Sequence, residues 1–122
     1  MSVTATFVNS CKVGNENYLT QSLDVIADTA QIISDNVSGL NVLTSVLGFT
    51  ASKLTGIFIL PDFDGSLTFY GSANVVVPLE ADIPYSWVGN GGQANPLAAC
   101  VTIASGGATG TGLLQARIMT VA

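Results

Sequence analysis

The sequence predicts an all-β protein, a jelly-roll-like β-sandwich of about eight to ten short strands. Two patterns carry that reading. Residues 54–60, 66–70, 75–79 and 83–87 form four apolar or aromatic runs separated by Gly, Pro, Asp and Asn, the punctuation of consecutive short strands. Near both ends, residues 2–9 and 113–121 alternate side chains with a period of two. The length sets the scale: 122 residues, 48% of them hydrophobic, make one domain able to build a core without metal or disulfide staples.

The elements follow in order. Residues 2–9 set Val3, Ala5 and Phe7 against Thr4, Thr6 and Val8, a strand rich in β-branched and aromatic residues. Within the single domain, residues 1–10 are expected to serve as an extended N-terminal arm or an edge strand. Residues 12–17, with Gly14, Asn15 and Asn17, read as a turn. Residues 18–27 resume a strand, with Leu19, Gln21, Leu23 and Val25 on one side. Asp28-Thr29 reads as a break, residues 30–34 as a short strand, and Asp35-Asn36 as its end. Residues 37–53 carry both periods: Leu40, Leu43, Val46 and Leu47 fit a helix, and Val42, Thr44 and Val46 fit a strand. The β-rich setting favours the strand, with one helical turn at residues 50–53. Beyond Trp87, residues 88–93 are a small loop, Asn95-Pro96 a turn, residues 97–104 a strand, and the glycine-rich residues 105–112 a loop at a sheet edge or tip.

Only 9% of the residues are charged, against roughly 25% in ordinary soluble domains. A surface this neutral is adhesive unless partners cover it, which points to an oligomer or larger assembly; the plainer alternative is an uncharged but polar β surface. The net charge is −5, and the cations are Lys12, Lys53 and Arg117 alone. Three scattered cations make no footprint for a phosphate backbone or an anionic lipid surface, so neither direct nucleic-acid binding nor membrane binding is expected. No apolar run reaches the length of a transmembrane helix, and residues 1–10 do not read as a secretory leader, so synthesis in a cytoplasm is expected. In that compartment Cys11 and Cys100 are expected as free thiols, although strands bringing them together would allow a bridge. Cys100, in the apolar run 97–101, reads as a small buried hydrophobe.

No motif encodes recognisable chemistry, and neither cofactor nor metal is expected. The absence of histidine removes Ser-His-Asp and Cys-His catalysis and imidazole metal sites. Asp62-Phe63-Asp64-Gly65-Ser66 resembles the start of a calcium loop, but its glycine falls fourth and Ala73 stands where the loop needs glutamate; a hairpin turn is the better reading. Glu80 and Asp82 would share a strand face, as paired acid–base carboxylates do, yet two exposed carboxylates at a turn explain them as well; a cation shared at a symmetric subunit contact is a third reading. The glycines at 107, 110 and 112 lack the lysine of a phosphate loop and the third glycine of a dinucleotide fingerprint. Tyr85, Trp87 and Tyr70 read as core or interface anchors, or alternatively as a sugar-stacking platform. Val3 and Phe7 are the candidate anchors of the N-terminal segment.

Residues 54–59, Leu67-Thr68, 77–81, Ile83-Pro84-Tyr85-Ser86-Trp87, 95–97, 101–103 and 114–118 together resemble small structural proteins of bacteriophage virions, of the capsid decoration or cement kind. The resemblance covers the C-terminal two-thirds of the chain. It implies a β-sandwich on a capsid lattice, in the virion, often as a trimer, with no active-site residues. The expected function is therefore non-enzymatic capsid stabilisation, with the capsid protein lattice and further copies of the chain as partners. The alternative is a carbohydrate-binding β-sandwich using Tyr85 and Trp87.

Overall fold

The computed structural model describes residues 2–12, 14–15, 19–43, 46, 48–90 and 92–122. The chain is all-β, with ten strands among these residues and a main sheet curled into a half-barrel, consistent with a sandwich-like fold. In order the strands are β1 (Val3–Cys11), β2 (Leu19–Ala27), β3 (Thr29–Leu43), β4 (Phe49–Thr50), β5 (Leu54–Pro61), β6 (Gly65–Tyr70), β7 (Val75–Leu79), β8 (Tyr85–Val88), β9 (Thr102–Ile103) and β10 (Ser105–Thr120).

β10 is the axis of the molecule. Along one side it pairs with β3 from Gly106↔Leu43 to Thr120↔Thr29. Along the other it pairs first with β6, Ser105 to Thr109, and then with β5, Leu114 to Thr120. β7 extends the sheet beyond β6, and β8 beyond β5. Because the period of a strand is two, β10 divides its side chains cleanly. Leu114, Ala116 and Ile118 enter the main core with Ile33, Ile57, Ile59, Leu67 and Phe69. Gln115, Arg117 and Met119 occupy the other, outer face of the sheet.

The outer face is roofed in part by a separate two-stranded sheet, the β1–β2 hairpin, paired from Val3↔Ala27 to Cys11↔Leu19. Among the described residues β1 pairs with β2 alone. Phe7, Val25, Ala27 and Met119 form a small second core, with Ala5, Phe58 and Val88 packed against it. Phe7 and Phe58 meet edge to face at 6.4 Å between ring centroids, a favoured aromatic geometry. The approach needs Gly56: a Cβ there would stand 3.1 Å from the Phe7 ring.

Four expectations are corrected. The strand beginning near residue 30 does not end at Asp35-Asn36; these residues stay in the ladder opposite Leu114 and Leu113, and β3 continues to Leu43. The glycine-rich residues 105–112 are no loop but the first half of β10. Residues 97–104 are no continuous strand: Ala98–Cys100 forms a 3₁₀ turn and Val101 stands at φ +59°, leaving only Thr102–Ile103 to pair with β4. Residues 62–66 make no hairpin. β5 and β6 run in the same direction along β10, so Asp62–Asp64 is a jog in one course of chain. Asp62 keeps the ladder intact there: its backbone N–H donates to Leu113 O, and its carboxylate accepts the Leu113 N–H at 2.7 Å. Phe63 lies over Gly110 and Gly112, at φ +132° and +153°, where any Cβ would strike Phe63 and, at Gly112, the Asp62 carboxylate. The β10 glycines make room for this jog.

Other readings hold. The turn before β5 is the 3₁₀ turn Ala51–Lys53. Gly14 and Asn15 lie in a turn, whereas residues 13 and 16–18 of the expected turn and strand are outside the described residues. So are residues 44, 45 and 47 of the ambiguous segment, whose earlier part is strand through Leu43.

Candidate functional site

The five anchor residues do not form one site. Tyr85 and Trp87 occupy alternate positions of β8, opposite Ile59 and Ile57, and therefore face the main core. Trp87 is 9% exposed, and its indole N–H donates to Gln93 O at 3.0 Å. A stacking platform needs an open ring face, and Trp87 offers none. Tyr85 is half-buried, and burial pushes its hydroxyl above the usual tyrosine range. It borders a 650 Å³ cleft whose lining includes Asn9, Asn90 and Gln93. Tyr70 ends β6, half-buried, and its carbonyl accepts the Ala104 N–H. Phe7 belongs to the second core and Val3 is exposed.

The acidic residues have structural duties that the sequence did not reveal. Asp62 completes the β10 ladder, and Asp64 accepts the Ala81 N–H at 2.9 Å. Asp28 accepts the Ala122 N–H at 2.7 Å, and its own N–H donates to Thr120 O. Glu80 and Asp82 lie exposed on the turn between β7 and β8, where Asp82 adopts φ +62°. Among the described residues no three His, Cys, Asp or Glu side chains are grouped to hold a metal, and no helix is long and apolar enough to cross a membrane. Cys11 and Cys100 are both free thiols; Cys11 is exposed and Cys100 fully buried. Burial pushes the Cys100 thiol up, and a backbone hydrogen bond at Val75 offsets part of that rise.

The feature overlooked in sequence is a 420 Å³ cleft where β1 meets the outer face of the main sheet. Phe58, Met119, Ala30 and Ile32 supply apolar walls, β1 contributes Ala5 and Val8, and Arg117 is the cation of the lining. The register explains the arrangement: Arg117 is opposite Ile32 on β3 and Phe58 on β5, so the three form one row across the sheet. The alternation of residues 113–121 already set Gln115, Arg117 and Met119 on one side and Leu114, Ala116 and Ile118 on the other. What it lacked was the neighbouring strands that turn one exposed arginine into the middle of an apolar row.

Large apolar side chains are exposed on several elements: Val8 on β1, Ile26 on β2, Ile32 on β3, Val76 on β7, Ile83 on the turn after it and Val101 after the 3₁₀ turn. Compared with protein-family models, characterised proteins and solved structures, the chain matches none.

Proposed function

We propose that this chain is a non-enzymatic structural protein of a bacteriophage virion, binding a capsid surface as a decoration, cement or minor capsid component. The observation that carries the reading is the distribution of those exposed apolar side chains over separate faces of a chain with 9% charge. One binding partner explains one patch. Apolar groups on both layers and at two connections suit a molecule touched from several sides, as in a lattice, where neutral contacts bury apolar surface between subunits. The unprotected β1 edge adds support: it carries no charge and no proline, and its outer side pairs with no strand among the described residues, the condition under which a strand accepts another by augmentation.

The test is the composition of the purified particle. Mass spectrometry and cryo-electron microscopy of virions from the phage encoding the chain should find it in fixed ratio to the major capsid protein, on the shell. Its absence from purified virions would refute the proposal. Deletion of residues 2–9 is a poor probe, because it removes Phe7 and unroofs Met119 and Phe58. Val8→Ser with Ile26→Thr alters exposed positions and should weaken particle binding in a folded protein.

A second reading, glycan binding, draws on the cleft beside Tyr85. A glycan array in which wild type and Tyr85→Ala behave alike would remove it.

A further inference from the structure

We propose that copies of this chain join head to tail, the turn formed by residues 80–84 of one copy seating in the Arg117 cleft of the next. The inference rests on the assembly reading above and names one partner and the surface it uses.

The cleft states what it requires. Its walls are largely apolar, and among the described residues its one cation, Arg117, makes a single hydrogen bond, from Nη1 to the Ala116 carbonyl at 2.9 Å. A guanidinium carries five N–H donors. Arg117 forms no ion pair among the described residues, so most of its donors face the cleft or solvent. An apolar knob carrying a carboxylate is the complementary shape and charge.

The chain itself presents such a knob. Among the described carboxylates, Asp24 accepts the Thr6 hydroxyl, Asp28, Asp62 and Asp64 each accept a backbone N–H, and Asp35 is also engaged. Among the described residues, only Glu80 and Asp82 have carboxylates that accept no hydrogen bond. Between them and Pro84 stands Ile83, 57% exposed. The turn is preformed: Ile83 N–H donates to Glu80 O at 3.1 Å, Asp82 N–H to Pro61 O at 2.9 Å, and Ala81 N–H to the Asp64 carboxylate. A preformed knob loses little conformational freedom on docking.

Topology makes the contact intermolecular. The turn links β7 and β8, the strands at the margin of the sheet away from β3, whereas the cleft lies over β3, β10 and β5 beneath β1. The backbone bonds that pin the turn hold it at that margin. Knob and cleft are different patches, so the joint is heterologous and each copy retains one unused half; repetition closes a ring or extends a filament.

Sedimentation velocity over a dilution series tests this with three proteins: wild type, Arg117→Glu, which loses the cleft, and Ile83→Asp, which loses the knob. Both substitutions are at exposed positions, and circular dichroism with protection of the Cys100 thiol confirms folding. Wild type should associate beyond a dimer, and each variant alone should associate at least about 30-fold more weakly, the scale of unpairing a buried interfacial charge. Mixed in equal amounts, the variants should form a 1:1 dimer and nothing larger, because only one intact knob meets one intact cleft. Monomeric wild type at every concentration, variants of wild-type mass, or a mixture that stays monomeric would each overturn the proposal. Normal particle binding by Arg117→Glu beside a monomeric wild type would defeat the joint while leaving the capsid reading intact. A wild-type protein that associates as expected but is missing from virions would do the reverse.

Discussion

β10 is paired along both sides, and its inner face lies in the main core; β1 is paired along one side and fixes itself to the sheet chiefly through one ring, Phe7. The first is held by long-range pairing with three strands, and the second by a local hairpin and a small core of four buried residues, three of them the hairpin's own. Stability is therefore concentrated in the main sheet, and the hairpin is the part able to open locally. The exposed apolar groups Val8 and Ile26 are on the more weakly held layer, where a partner would add what the molecule itself lacks.

Substitutions can break or sharpen this contrast. The largest effect is expected at Gly65→Ala, where the new Cβ would strike the Thr109 carbonyl, a backbone atom that cannot swing aside. A loss of about 3 kcal/mol is expected, the upper end of overpacking penalties, measured by chemical denaturation with the whole sheet unfolding earlier. Phe7→Ala should cost about 2 kcal/mol, the transfer free energy of one buried side chain. Hydrogen exchange should then show β1 and β2 amides losing protection while β10 keeps its own; equal loss in both would erase the distinction drawn here. Val101→Gly should stabilise the main sheet by about 1 kcal/mol, because a β-branched residue at φ +59° is strained and glycine is not; a raised denaturation midpoint with unchanged hairpin exchange is the expected result. The smallest effect is expected at Thr6→Ala, which removes an exposed hydrogen bond to Asp24 at 2.8 Å and should shift stability by no more than about 0.5 kcal/mol.

The thiols give an independent measure. Cys11 should react with a thiol reagent at once, and Cys100 only when the main sheet opens. Because burial holds the folded Cys100 thiol above its ordinary value, the unfolded thiol ionises first as pH rises. The buried thiol's contribution is thus complete below the ordinary thiol range and declines above it. Denaturation midpoints should fall through the alkaline range for wild type and fall less for Cys100→Ala.

The strand content was legible because its signals are local: period-two alternation in β1, β2 and the second half of β10, and short apolar runs between turn residues in β5 through β8. What escaped depends on distant neighbours. Gly106, Gly110 and Gly112 read as loop because glycine ordinarily marks one, and only Val46 above the first and Phe63 above the other two show why a strand needs them small. Asp62-Phe63-Asp64-Gly65 has hairpin composition, but it spans the stretch of β10 between the β5 and β6 ladders and continues the chain in the same direction. Asp35-Asn36 looks like a stop, although backbone pairing is indifferent to those side chains. Trp87 lies in the main core and Tyr85 packs against it, the placement their alternate spacing allows. The Arg117 cleft could not be read at all, since its row is assembled from β3, β5 and β10, separated by long stretches of chain.

The position of β10 also governs how the molecule is made. β3, β5 and β6 precede it in the chain, and each takes β10 as its neighbour. Until residues 105–120 emerge from the ribosome, those strands have no central partner, while the β1–β2 hairpin can already form. Until then the nascent chain carries apolar strand edges unsatisfied, the state most exposed to chaperones and to aggregation. Stalling synthesis before residue 105 should yield a chain with a formed hairpin and no sheet, and release past residue 120 should allow the rest to fold in one step.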